Sequence, residues 1–326
     1  MRAAVYEKYG PAEVLSVKEL KKPVPAQNEV LIEVHASTVT SGDYRARSLV
    51  LPRCFGFLGR LVFGIRAPRQ PILGTELAGR IVAIGKDVTK FKVGDDVFAF
   101  TGAKMGCHAE YKCMPEDGFL ALKPANLSYA EAAALSFGGT TALDFFRKGQ
   151  IKQGDKVLIN GASGGVGTEC IAVARHFGAE VTGVCSTPNL ELVSSLGASR
   201  VIDYTNTDFT KDSEQYDLIV DTAGTAPFSR SGVALKAGGR LLLVLGPLTA
   251  LLGALWVALT SKKKVIAGPA SVRVEDLHTL ASLAEAGEYK PVIGRVFALD
   301  QIVEAHRYVD TGHKRGNVII TMPVSH

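Results

Sequence analysis

The stretch Leu158–Ser186, "LINGASGGVGTECIAVARHFGAEVTGVCS", decides the fold. It opens inside an apolar run, "KVLIN", turns on small residues, continues as the helix-length segment "GTECIAVARHFG", and enters a second apolar run, "EVTGVC". Strand, glycine turn and helix in that order make a G-x-G-x-x-G element informative. Here it reads A-x-G-G-x-G, with Ala162 at the first glycine position and Gly164 and Gly167 retained. A helix N-terminus carries unpaired N–H groups and partial positive charge, and glycines let a pyrophosphate come close to them. Gly161, Ala162, Ser163, Gly164, Gly165, Val166 and Gly167 are therefore expected to hold the phosphates of a dinucleotide. A tight turn that needs small residues and binds nothing is the competing reading.

In such units an acid about twenty residues further on binds the ribose hydroxyls of NAD. At that place stands "CSTPN", Cys185 to Asn189, and the first acid, Glu191, falls inside the next helical segment. A carboxylate there would repel a 2'-phosphate, so its absence, with Ser186, Thr187 and Asn189 as neutral donors, points to NADPH. Arg200 and Tyr204 stand either as further phosphate contacts or as a surface arginine and a half-buried strand tyrosine.

Outward from this unit, helical and apolar strand segments alternate from about residue 125 to 269, which predicts a parallel sheet with helices on both faces. Residues 1–124 carry short alternating segments such as "NEVLIEVHAS" and "GRIVAIG" between Gly, Pro and Asp turns, as a β-rich domain would. After 270 come two helices and a last strand, "GNVIITM", expected to return to the first domain. The fold class is α/β, with two domains in 326 residues.

Charge excludes nucleic acid as the partner: 37 basic and 32 acidic residues are spread along the chain, and the compact basic run Lys262, Lys263 and Lys264 is too short for such a footprint. Five cysteines without C-x-x-C spacing, and an N-terminus without an apolar signal region, suggest the cytoplasm. Leu241 to Leu259 is long and uncharged enough for a membrane span, but Gly246-Pro247 divides it into a strand-sized and a helix-sized piece. The apolar stretch from Ser48 to Gln70, with Phe55, Phe57 and Phe63 among arginines, is read as core and dimer packing, a greasy substrate channel, or a peripheral membrane contact.

Several blocks in order, "VYEKYGPAEVL", "EVLIEVHASTVTSGDYRARS", "PILGTELAGRIVAIGKDVTKFKVGDDVFAF", "AAALSFGGTTAL", "GDKVLINGASGGVG", "LGASRVIDY" and "GHKRGNVII", resemble the medium-chain dehydrogenase/reductase superfamily, in its zinc-free quinone oxidoreductase branch. The resemblance covers nearly the whole chain. It implies a GroES-like β-rich catalytic domain built from 1–124 and 270–326 and a Rossmann doubly wound parallel sheet over 125–269, with the nicotinamide in the cleft between them. Gly138, Gly139 and Thr141 would lie near the nicotinamide. Asp221, Thr222, Ala223 and Gly224 end a strand on the cofactor edge, although Asp221 serves equally well as a turn cap. Asp43 and Arg47 fall on the branch's D-x-x-x-R element, while Thr40, Ala172 and Asn317 depart from its usual asparagine, glutamine and lysine.

Zinc enzymes of the superfamily hold the metal with cysteine and histidine, because catalytic zinc takes three protein ligands and leaves one position open. Here the histidine motif reads Gly74-Thr75-Glu76 and the cysteine position near "TVTSGD" holds hydroxyl residues, so no metal is expected; His35 and His108 are left as isolated histidines. Without a Lewis acid, the accessible reaction is hydride delivery from NADPH to a carbon conjugated with a carbonyl, in a small apolar quinone, enone or enal. Tyr44, Thr40 and Asp43 are the candidate catalytic residues, with Tyr44 or Thr40 as donor to the developing oxyanion; packing and capping are their alternative roles. A homodimer through the strand near "KKVIAG" is expected. The rival functions are an enoyl reductase acting on lipid enals or thioesters, and a non-catalytic NADPH-binding structural or membrane-associated protein.

Overall fold

The computed structural model describes residues 1–50, 60, 61, 63–246 and 248–323, with the backbone alone for 248–252 and 255. Phe55 and Phe57 of the apolar stretch therefore lie outside the described residues. In chain order the first strands are β1 (Arg2–Tyr6), β2 (Leu15–Glu19), β3 (Glu29–Thr38), β4 (Glu76–Ile84), β5 (Asp96–Phe100), β6 (Tyr111–Pro115) and β7 (Leu120–Leu122). Then come β8 (Lys156–Asn160), β9 (Glu180–Cys185), β10 (Arg200–Asp203), β11 (Tyr216–Asp221), β12 (Leu235–Leu243), β13 (Lys264–Ala267), β14 (Ile293–Ala298) and β15 (Asn317–Thr321). The helices are α1 (Ser41–Ser48), α2 (Tyr129–Ala133), α3 (Ser136–Gly149), α4 (Gly165–His176), α5 (Leu190–Ser195), α6 (Phe228–Ser231), α7 (Leu248–Thr260), α8 (Val274–Glu285) and α9 (Ile302–Asp310).

Among the described residues the chain forms two compact units. The first gathers residues up to Phe137 and those from Arg273 onward; the second is Gly138–Val272. In the first, β14, β15, β3, β4, β5 and β7 lie side by side, with β6 also paired to β3. The last strand does return: β15 runs antiparallel to β3, with Ile319 opposite Thr38. Its core takes alternate side chains from the central strands, including Val30, Ile32 and Val34 of β3 and Val318 and Ile320 of β15. Residues 125–137, placed by sequence in the nucleotide-binding domain, pack with this unit instead. The cause is α2, capped at its N-terminus by a Ser128–Glu131 box, which buries Ala132 and Ala133 and packs on β3 and β4.

The second unit is a six-stranded sheet, β10-β9-β8-β11-β12-β13, in which every pairing is parallel. Val157, Leu158 and Ile159 of β8 are wholly buried, as a central strand covered on both faces requires. The uncharged stretch divides as its Gly-Pro predicts, into β12 and α7, and no helix among the described residues is long and apolar enough to cross a membrane. Strand β13, the "KKVIAG" segment, forms one edge of this sheet.

Candidate active site

In the second unit, β8 ends at Asn160 and the chain reverses through Gly161, whose φ of +82° is a left-handed conformation suited to glycine. Gly164 is the N-cap of α4 with φ −79° and ψ 170°, and supplies no side-chain cap. The first amides of the helix thus keep the donor capacity that a serine or aspartate cap would have consumed. Gly167 answers a packing need: a Cβ there would lie 2.1 Å from the Gly161 carbonyl oxygen. At Gly164 the nearest atom to a Cβ is that same oxygen at 3.5 Å, so the turn itself does not demand glycine there. Ala162 is fully buried, and its amide donates to Val184 O at 3.0 Å, tying the turn to the end of β9.

Two neighbours close around this turn. Thr222 Oγ1 donates to Asn160 O at 2.9 Å and stands 3.2 Å from Gly161 O, while a Cβ on Gly138 would meet the Glu169 side chain at 2.6 Å and Gly165 O at 3.2 Å. Gly138 lets the start of α3 approach α4, and Gly139 and Thr141 follow it on the same helix, both buried. Asp221 is the cap of its own turn: its buried carboxylate accepts the amides of Ala223, Gly224, Thr225 and Ala226 and the Asn160 amide group. That leaves Thr222, Ala223 and Gly224 presented at the end of β11, with Gly224 at φ +74°.

At the end of β9 the three residues read as neutral donors are largely engaged. Thr187 Oγ1 donates to Asp203 Oδ2 at 2.6 Å, and Asn189 Nδ2 donates to Ser186 Oγ at 3.1 Å with its own Oδ1 buried and unpartnered. Arg200 is paired with Asp212 rather than turned to this loop, and Tyr204 is half exposed beside Asp203. A carboxylate does stand at this edge, where the sequence showed none and so pointed to NADPH: Asp203 is carried not by β9 but by the neighbouring β10. The parallel register that sets Asp203 opposite Cys185 is the signal that finds it.

In the first unit, Thr40 and Asp43 form a capping box. Thr40 Oγ1 accepts from the amides of Gly42 and Asp43 and donates to Asp43 Oδ2 at 2.7 Å, and that same carboxylate oxygen accepts the Thr40 amide. The other oxygen, Oδ1, accepts the Gly74 amide at 2.8 Å. Asp43 is fully buried and its oxygens are spent on structure, so the geometry favours the capping role for it and for Thr40. Tyr44, one residue on, is half buried, and its hydroxyl has no hydrogen-bond partner among the described residues. Arg47, wholly buried, grips both oxygens of Asp310 at 2.8 and 2.7 Å and so locks α1 to α9.

Glu76, the last residue of Gly74-Thr75-Glu76, is buried in the first unit. Its carboxylate accepts from Thr38 Oγ1, Ser136 Oγ and the Phe137 amide, and burial pushes its pKa up to about 7 against the pull of those bonds. His108 Nε2 contacts Thr38 O at 2.9 Å, while His35 stacks on Tyr129 at 4.1 Å between ring centroids. Among the described residues no three His, Cys, Asp or Glu side chains converge as metal ligands. The Glu76 carboxylate is engaged by two hydroxyls and a backbone amide, and His108 Nε2 by the Thr38 carbonyl. The opened turn of α4, by contrast, fits a dinucleotide: bare amides, a cradle with room above Gly164, and a ribose edge at β9 and β11.

A glycine-opened helix on a parallel sheet, joined to a β-rich unit assembled from both ends of the chain, defines a two-unit dinucleotide-dependent oxidoreductase. Comparison with known proteins agrees. A family model described as alcohol dehydrogenase GroES-like domain matches residues 26–125, and one described as zinc-binding dehydrogenase matches 196–320. The chain is 32% identical to 2-methylene-furan-3-one reductase of Solanum lycopersicum over 98% of its own length and 79% of the relative's. It is 30% identical, with the same coverage, to the NADPH-dependent alkenal/one oxidoreductase of Arabidopsis thaliana chloroplasts. The solved quinone oxidoreductase of Coxiella burnetii superposes with a TM-score of 0.87 at 30% identity, covering 99% of each chain. The chain belongs to the medium-chain dehydrogenase/reductase superfamily, in its quinone oxidoreductase branch, and is an oxidoreductase using a nicotinamide cofactor.

Proposed function

We propose that the chain reduces quinones or α,β-unsaturated carbonyl compounds with NADPH and without a metal ion. The observation that carries this is the pairing of an uncapped, glycine-opened α4 with a Glu76 region built from hydroxyls instead of metal ligands. The relatives' names, an alkenal/one oxidoreductase and a furanone reductase, support the conjugated acceptor. Gly161 to Gly167 would hold the pyrophosphate, Thr222 and Gly224 the ribose edge, and Ser186, Thr187, Asn189 and Tyr204 the adenosine end. The cofactor supplies a hydride, and an acceptor already polarised by conjugation needs no Lewis acid to receive it.

The chain's task is then to align the acceptor and to stabilise the oxygen that gains charge. Tyr44 is the donor we assign, because its phenol has no partner among the described residues whereas the Thr40 hydroxyl donates to Asp43. A homodimer through the edge strand β13 and residence in a reducing, cytoplasm-like compartment belong to the same reading. They are supported by the exposed Trp256 and Leu259 on the neighbouring α7 and by Cys107, Cys113, Cys170 and Cys185 all being free thiols.

The test is NADPH oxidation, with and without a chelator, against quinones, enones, enals and saturated ketones. Turnover confined to conjugated acceptors and indifferent to chelation is expected, and Tyr44→Phe should lower kcat by roughly tenfold or more at unchanged NADPH affinity. Tight NADPH binding with no oxidation of it would replace the enzyme with a binding protein.

A further inference from the structure

We propose that Asp203 is a cofactor-specificity residue, a fixed carboxylate brought to the adenosine ribose by the neighbouring strand, where it disfavours a 2'-phosphate. The inference rests on the dinucleotide reading of the glycine turn. In a parallel open sheet the ligand lies beyond the C-terminal ends of the strands, and the ribose falls at the end of the strand that follows the glycine turn. That strand is β9. It pairs with β10 so that Cys185 stands opposite Asp203, and the two strand ends are level.

The carboxylate is held in place. Thr187 Oγ1 donates to Oδ2 at 2.6 Å and Asn206 Nδ2 at 2.9 Å, while the amide and hydroxyl of Thr205 donate to Oδ1 at 3.0 and 2.7 Å. These bonds, that of Thr187 foremost, keep Asp203 below the usual carboxylate range, so it is ionised at neutral pH. No lysine or arginine among the described residues forms an ion pair with it, and the nearby Arg200 is neutralised by Asp212. Thr187 is altered in turn. A hydroxyl has a single proton, and that of Thr187 is committed to Asp203, so toward a ligand the hydroxyl presents lone pairs. It can accept from a ribose hydroxyl but has no proton for a phosphate oxygen. Charge and hydrogen-bond polarity at this edge therefore act in the same direction, limiting the preference for NADPH over NADH that a neutral loop would show.

Calorimetric titration with 2',5'-ADP and with 5'-ADP reads this without turnover. Asp203→Asn keeps the shape and removes the charge; it should bind 2',5'-ADP roughly tenfold more tightly than the wild type, with 5'-ADP changed by less than about twofold. Asp203→Ser, which removes the charge with a different shape, should move the ratio in the same direction. The kcat/KM ratio for NADPH over NADH should rise in step. An unchanged ratio in both variants overturns the proposal, as does a parallel weakening of both nucleotides, which would mean that Asp203 merely holds the loop together. A wild type that binds neither nucleotide overturns the dinucleotide reading itself, a result distinct from either.

Discussion

Gly164 and Gly167 stand three residues apart in one turn and are glycine for different reasons. At Gly167 a methyl group would sit 2.1 Å from backbone, so either α4 or the Gly161 turn must move. Gly167→Ala should destabilise the second unit by about 1–3 kcal/mol, the ordinary cost of overpacking, and should weaken NADPH binding as a consequence. At Gly164 the methyl has 3.5 Å of clearance and an ordinary φ of −79°, so Gly164→Ala should leave stability within about 0.5 kcal/mol of the wild type. Its methyl would project where a pyrophosphate has to approach, and affinity should drop by roughly tenfold. Urea unfolding beside NADPH titration separates the two; equal stability losses would show that Gly164 too is there for packing.

Helix α1 is a short element whose existence depends on its two ends. Its eight residues bury Ala46 along with Asp43 and Arg47, a poor apolar face, so the box at Thr40 and the grip of Arg47 on Asp310 must hold it. Thr40→Ala should cost about 1–2 kcal/mol, the usual price of a lost cap. Far more is at stake at the other end, where Nε and Nη1 of Arg47 are already buried without partners. Asp310→Ala leaves that charge uncompensated and should cost about 3–5 kcal/mol, whereas Arg47→Met combined with Asp310→Leu should recover most of the loss. A double variant no more stable than Asp310→Ala, measured by denaturant unfolding, would contradict this account of the pair. The same helix shows why a D-x-x-x-R spacing is ambiguous on its own: Asp43 and Arg47 share a helical face whether they serve substrate or scaffold, and only burial and partners distinguish the two.

Across the whole molecule, what could be read in advance was local. The strand, turn and helix around Gly164 lie within thirty residues of chain, and the Gly-Pro that separates β12 from α7 is a break at a single point. What escaped reading depends on residues far apart in sequence: Asp203 on Thr187 across two strands, Glu76 on Ser136, Arg47 on Asp310, and the membership of 125–137 in the first unit. His306 belongs with these, since nothing in "EAHRY" shows that its ring is buried with both nitrogens unpartnered, edge-on to His108 at 5.7 Å. Burial, then His108 and Arg47, hold its pKa well below the ordinary histidine value, so the imidazole stays neutral in the folded protein. An unfolded chain protonates the same residue near pH 6.5. Below that pH the unfolded state binds a proton that the folded state refuses, and stability falls as pH falls, by up to about 1.4 kcal/mol per pH unit from this one group; above it the group has no effect. His306→Gln removes the titration, so between pH 7.5 and 5.5 the wild type should lose more stability than the variant in urea unfolding of the first unit. Parallel losses in the two proteins would mean that His306 takes up its proton while folded, with water or a rearranged Arg47 solvating the charge.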